Sequence, residues 1–149
     1  MMADNSKITF LVGRMVVGFF YLYAGINNFV HFEEAVGYAA FKGVPVTVLA
    51  VTIANILLLI AGLSILSGYQ PVVGVTAVVL FMIPVTLLMH NFWAIADPQM
   101  AIAEMRSFLS NMGLAGSSLL FLAIPRPWPM SINKLSGKTK MAQVYKKPT

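Results

Sequence analysis

The sequence contains no cysteine. Disulfides, iron–sulfur clusters, thiolate metal sites and thiol nucleophiles are therefore excluded within this chain. Charge is nearly as scarce: Asp, Glu, Lys and Arg make up 10% of its 149 residues, against about a quarter in an ordinary soluble domain. Acids are the rarer sign, five against ten bases. Apolar residues reach 58%, and the mean hydropathy is +0.80. So little polar surface does not cover that apolar content in water, which excludes a soluble globular domain. Intrinsic disorder is excluded by the same composition.

What is present is four apolar runs, at about 8–30, 45–66, 71–93 and 107–124. About 20 apolar residues cross the hydrocarbon as a helix. The expected fold is all-α: an integral membrane four-helix bundle over residues 1–125, followed by a basic tail over 126–149. Lys7 ahead of the first run imitates a secretory signal. The run is too long for one and carries Arg14, so it reads as a retained helix.

The tail holds Arg126, Lys134, Lys138, Lys140, Lys146 and Lys147 and no acid, whereas the segments 31–44 and 91–106 are not net positive. Basic segments stay inside, so both termini are expected on the cytoplasmic side of a cell (inner or plasma) membrane. The tail is expected to attract anionic lipid. Nucleic acid is not expected, because only Tyr145 lies among the tail bases to stack on a base. Ser67–Gly68–Tyr69–Gln70 predicts a tight turn between the second and third helices. Asp97 before Pro98 predicts an N-cap with proline at the first helical position, the helix running on into the fourth span. Pro125 to Pro129 should end that helix and leave Trp128 near the inner interface, with little fixed structure beyond.

Arg14, Gly18, Tyr21, Gly25 and Asn28 recur at three- and four-residue spacing, which predicts one face turned into the bundle. Arg14 is a charge among runs that hold no acid. It is expected to snorkel to cytoplasmic phosphates, or to meet a quinone headgroup or an acid of another subunit. His31 and His90 fall at the outer ends of the first and third helices, with Asn27, Asn28, Asn91 and Glu33 nearby. Neighbouring neutral imidazoles there would suit a quinol as proton acceptors, with Asn27 and Asn91 orienting the headgroup. Haem ligation by His31 and His90 ranks behind quinone, and amphipathic capping of helix ends is the plain alternative. Pro84 predicts a kink in the third helix. The methionines read as apolar filling rather than a metal site.

With these positions in place, the chain resembles the DoxX family of small four-helix membrane proteins over about residues 10–125. The resemblance rests on Gly13–Arg14 with Gly18, on Tyr23–Ala24–Gly25–Ile26–Asn27, and on Lys42–Gly43–Val44–Pro45 with Gly62 and Gly68. It rests most on His90–Asn91–Phe92–Trp93 with Asp97–Pro98, followed by Phe108–Leu109–Ser110–Asn111 and Gly116. It implies a quinone-linked setting, since the family includes a subunit of a thiosulfate:quinone oxidoreductase. Two positions depart from its pattern: Asn28 stands where lysine is frequent, and Leu58 where glutamate is frequent. Leu58 is expected at the depth of Arg14, so the usual acid partner of that arginine would be missing, with Asn55 a partial substitute. The expected function is an integral membrane subunit of a quinone-linked oxidoreductase, working with other membrane subunits or a second copy. The alternative is a non-catalytic accessory or assembly subunit of a larger complex.

Overall fold

Helix α1 (Asp4–Val30) is followed in the computed structural model by α2 (Phe32–Phe41), α3 (Thr47–Ser67), α4 (Pro71–Met89) and α5 (Pro98–Leu120). Short 3-10 turns at Phe92–Ala94 and Phe121–Ala123 complete the described residues, 4–132, which contain no strand. The tail positions Lys134, Lys138, Lys140, Lys146 and Lys147 lie outside the described residues.

α1 packs on α3, α3 on α4 and α4 on α5. The Tyr21 hydroxyl meets Ser118 Oγ at 3.0 Å and so joins α1 to α5. Tyr21, Leu58, Ala61, Ile65, Ala77, Val78, Met82 and Ala115 form the buried core. Of the expected inward face of α1, Arg14, Gly18, Tyr21 and Gly25 are buried, and Asn28 is half-buried. Large apolar side chains such as Val16, Phe19, Ile53 and Leu63 are exposed, as lipid-facing residues must be.

Close helix approach sets the register of the α1–α3 pair. A Cβ at Gly62 would lie 2.5 Å from the Leu22 backbone nitrogen, so only glycine fits. Gly18 lies against Leu66, and Gly25 against Leu58 and Leu59. The helices are therefore antiparallel, and Leu58 is level with Gly25. Arg14 instead sits beside Gly68, in the turn after α3. The expectation that Leu58 shares the depth of Arg14 is thus wrong by 11 residues of α1, about 16 Å at 1.5 Å per residue. Counting inward from the ends of two apolar runs misses such an offset between helices.

Three segments, Asp4–Val30, Thr47–Ser67 and Pro71–Ala94, are long and apolar enough to cross a membrane. α5 falls short of that measure because serine, glycine, Asn111, Glu104 and Arg106 dilute it. The segment 31–44, which joins the first two apolar runs, holds α2. Its alanines favour helix, Glu33 and Glu34 suit the positive N-terminal end, and Gly43 follows at φ +76°. The second apolar run becomes helical at Thr47 rather than Pro45, and the third ends at Met89.

The expected N-cap of α5 is present: the Asp97 side chain accepts from the Met100 N–H at 2.7 Å. The turn between α3 and α4 is as short as its sequence implied, with Gly68 at φ +67° and the Ser64 hydroxyl donating to the Tyr69 and Gln70 carbonyls. Trp128 stands at the end of the chain where it was expected, packed inside it rather than exposed. It is 1% exposed, with ring centroids of Phe10 and Phe121 at 5.2 and 5.6 Å. The chain has two unlike ends. One, the loop end, gathers α2 and the start of α5; the other, the tail end, gathers the start of α1, the α3–α4 turn and the segment around Trp128.

Candidate functional site

At the loop end, Glu104 of α5 holds two partners from distant sequence. Its Oε1 accepts from Lys42 Nζ at 2.5 Å, and its Oε2 lies 2.7 Å from His90 Nδ1. Local structure presets all three. The Lys42 N–H bonds the Tyr38 carbonyl at the end of α2, the His90 N–H bonds the Thr86 carbonyl at the end of α4, and the Asp97 cap starts α5. The hydrogen bond from Lys42, then that from His90, holds the Glu104 carboxyl below the usual glutamate range. Burial pulls the Lys42 ammonium down, but the bond to Glu104, with help from Tyr38, leaves it raised. His90 Nε2 makes no hydrogen bond among the described residues.

His31 stands apart from this cluster. It is exposed, and its Nδ1 lies 3.1 Å from the Asn27 carbonyl on its own helix. No hydrogen bond joins His31 to His90 among the described residues. Asn27 is also exposed, while Asn91 precedes the 3-10 turn at Phe92. The structure therefore gives the two histidines different partners, one intrahelical and one a carboxylate.

Beside the cluster, a cavity of about 390 Å³ opens among α1, α2, α3 and α4. Its walls are mostly apolar, including Val51, Leu57, Phe81, Pro84 and Leu88, with Asn28, Tyr38 and Asn55 supplying polarity. Asn55 is 1% exposed, and neither its amide nitrogen nor its amide oxygen has a partner among the described residues. Leaving a buried polar group unpaired costs about 1–3 kcal/mol. An amide that both donates and accepts, at the wall of an apolar cavity, is the arrangement expected of a specificity point for a mostly apolar ligand. Asn28 and Leu58 lie about one turn apart on the facing helices α1 and α3. The lysine and glutamate that the family pattern implies at those positions would be neighbours, and replacing both strands neither charge.

Arg14 proves to belong elsewhere. Its guanidinium is turned into the chain, donating to the Pro129 carbonyl at 3.2 Å and the Met130 carbonyl at 3.1 Å. The Phe10 and Trp128 ring centroids each lie 5.9 Å from its Cζ. Pairing across to Asn55 is displaced by this arrangement, because Asn55 lies near the level of Gly25, at the other end of α1. Arg14 is a structural clamp on the segment that follows α5.

Glu104 and Lys42 were missed as site residues by reasoning from the sequence. The available signal was their sign: they are opposite charges at one end of a chain with few charges. Their separation of 62 positions hid the pairing. Asn55 was singled out, but as a stand-in acid for Arg14 rather than as an unpartnered amide.

The DoxX family profile matches residues 9–91. Inner membrane protein YphA of Escherichia coli (strain K12) is 24% identical over 127 residues, covering 85% of this chain and 89% of that protein. No solved structure matches at a significant level. This is a multi-pass inner-membrane protein, and the matched span, from the first turns of α1 through the His90–Asn91 pair, takes in the cavity and two of the three members of the cluster. The chain belongs to the DoxX family.

Proposed function

We propose that the chain is a membrane subunit of a quinone-linked oxidoreductase, with a quinone headgroup held in the cavity beside Asn55. The observation that carries this reading is the buried, unpartnered Asn55 amide at the wall of an apolar space. The Asn55 amide would hydrogen-bond a ring carbonyl or hydroxyl, Asn28 and Tyr38 would bound the polar side, and Val51, Phe81 and Leu88 would exclude water from the ring. A bound quinone supplies two-electron, two-proton carrier chemistry. The His90–Glu104 pair offers a hydrogen-bonded acid–base group beside the same end of the chain. Electrons would reach this subunit from another chain.

The reading includes α5 as a fourth span, with both termini cytoplasmic. At the tail end, Lys7, Arg14 and Arg126 face a single described acid, Asp4; at the loop end, Glu33, Glu34, Asp97 and Glu104 outnumber Lys42 and Arg106. That asymmetry follows the positive-inside rule. Alkaline-phosphatase fusions at Lys42 and Gln99 should be active and one at Lys138 inactive; the reverse pattern would invert the orientation. The lysine tail would lie against anionic lipid.

One observation favours the accessory reading alongside. Gly113 and Gly116 of α5 have nothing packed over them, and Ser110 and Ser117 are exposed nearby. A small-residue face of this kind suits close packing against a helix of another subunit or a second copy.

The test is quinone content. The full chain, purified with its partners in mild detergent, should yield extractable quinone. Asn55→Leu should reduce that yield about tenfold, the loss of roughly one hydrogen-bonded anchor, without lowering the amount of folded protein. Equal quinone in both preparations would favour the accessory role.

A further inference from the structure

A second pocket lies at the opposite end and has different chemistry. Gly68, Gln70, Pro71, Arg126, Pro127 and Trp128 line a cavity of about 350 Å³ between the α3–α4 turn and the segment after α5. Trp128 is 1% exposed, yet its indole Nε1–H has no acceptor among the described residues. Arg126 contributes an exposed guanidinium to the same wall. Behind Gly68 stands Arg14, whose Nη1 lies 2.7 Å from where a Gly68 Cβ would be. Arg14 is 2% exposed, and its Nε–H is a further buried donor without a partner among the described residues.

The charge balance of this end points the same way. Arg14 is met by two carbonyls and two aromatic rings, not by a carboxylate. The single described acid at this end, Asp4, is engaged by Lys7 at 2.5 Å. A buried cation away from water calls for an anion or for dense hydrogen bonding. Here the Arg126 guanidinium and the Trp128 ring line the pocket, Arg14 stands behind its Gly68 wall, and no carboxylate among the described residues lines it.

We propose that this pocket is a phosphate site, holding the phosphodiester of an anionic membrane lipid. Arg126 supplies the charge-assisted contact, the Trp128 N–H a neutral one, and Arg14 a fixed positive field from behind the Gly68 turn. The lipid source follows from position. The pocket opens where α4, an apolar membrane-crossing helix, begins at Pro71, and where the apolar part of the chain gives way to Arg126. Inorganic phosphate is the other source of the same chemistry. This site is independent of the quinone reading, and either proposal can fail alone.

The experiment measures binding of a fluorescent anionic phospholipid to the full chain in neutral detergent. Competitors are unlabelled phosphatidylglycerol, phosphatidylcholine and inorganic phosphate. Wild type should bind the anionic lipid, and phosphatidylglycerol should displace the probe at concentrations where phosphatidylcholine does not. Trp128→Phe keeps every charge and an aromatic ring while removing the indole N–H and one fused ring; with denaturation midpoint checked against wild type, it should weaken binding about tenfold. Arg126→Gln, at an exposed position that leaves the fold alone, should weaken it at least as much. Displacement by millimolar inorganic phosphate with no displacement by phosphatidylglycerol would keep the phosphate site and overturn the lipid as its source. Wild-type affinity in both variants, with binding lost only when residues 133–149 are removed, would overturn the pocket and leave a diffuse attraction to the tail.

Discussion

Lys42 and Arg14 are cations set into opposite ends of one helical assembly, and they are neutralised in opposite ways. Lys42 at the loop end has a carboxylate, Glu104, which it shares with His90. Arg14 at the tail end has carbonyl oxygens and aromatic faces. The difference follows from where the few acids lie. Four of the five stand in or beside the loop-end segments, so a lysine there finds a partner of full charge. The tail end has bases to spare and must satisfy a buried guanidinium with dipoles. One end is therefore tied by titratable groups, the other by a folded strap of backbone.

The largest expected effect comes from cutting that strap. Removing residues 125–149 takes away Trp128 and both Arg14 acceptors and uncovers Phe10 and Phe121. We expect little folded protein in the membrane fraction from this truncation. Removing 133–149 instead spares every contact described for Arg14 and should leave accumulation near wild type. If both truncations accumulate equally, the strap does not hold the tail end together.

Arg14→Leu isolates the guanidinium. It deletes two hydrogen bonds from a charged donor, each worth about 1.5–3 kcal/mol. The expected loss is about 3–6 kcal/mol, read as an earlier midpoint in denaturant titration of the detergent-solubilised protein. A loss under about 1 kcal/mol would mean that the carbonyls and rings contribute little.

At the loop end, Glu104→Gln should cost about 1–3 kcal/mol, because Lys42 and His90 lose their shared anion together. The same site predicts a pH dependence that the tail-end clamp lacks. The folded-state pKa of Glu104 is lowered, so its contribution is complete above the ordinary glutamate value near 4.3 and is lost as pH falls through the lower folded value. Lys42 is raised, so its contribution holds below the ordinary lysine value near 10.4 and is lost above it, as pH rises through the folded value. Wild type should lose stability below about pH 4 more steeply than Glu104→Gln. Parallel curves would show that the cluster is not a stabilising one. Lys42→Met should be the mildest change, at about 1 kcal/mol or less, since Glu104 keeps His90.

Much of this arrangement was legible in the sequence because it is local. The buried face of α1, the Asp97 cap and the Ser67–Gln70 turn each depend on residues a few positions apart. The rest depended on distance. Glu104 lies 62 residues from Lys42, and Arg14 lies more than a hundred residues from its carbonyl partners, beyond any periodicity. Helix α2 was hidden because ten residues bounded by turns look like a loop when only membrane-length runs are counted. The unpartnered state of Asn55 is a property of what surrounds it, so its residue type raised suspicion while its role waited for the cavity.

The central claim is that the two ends carry separate sites, one for a neutral ring and one for an anion. Native mass spectrometry of the detergent-purified chain with its partners, combined with quinone and lipid extraction from the same sample, tests it directly. Asn55→Leu should lose quinone and retain anionic phospholipid, while Trp128→Phe should lose the phospholipid and retain quinone. Joint loss of both molecules in either variant, or retention of both in each, would contradict the account.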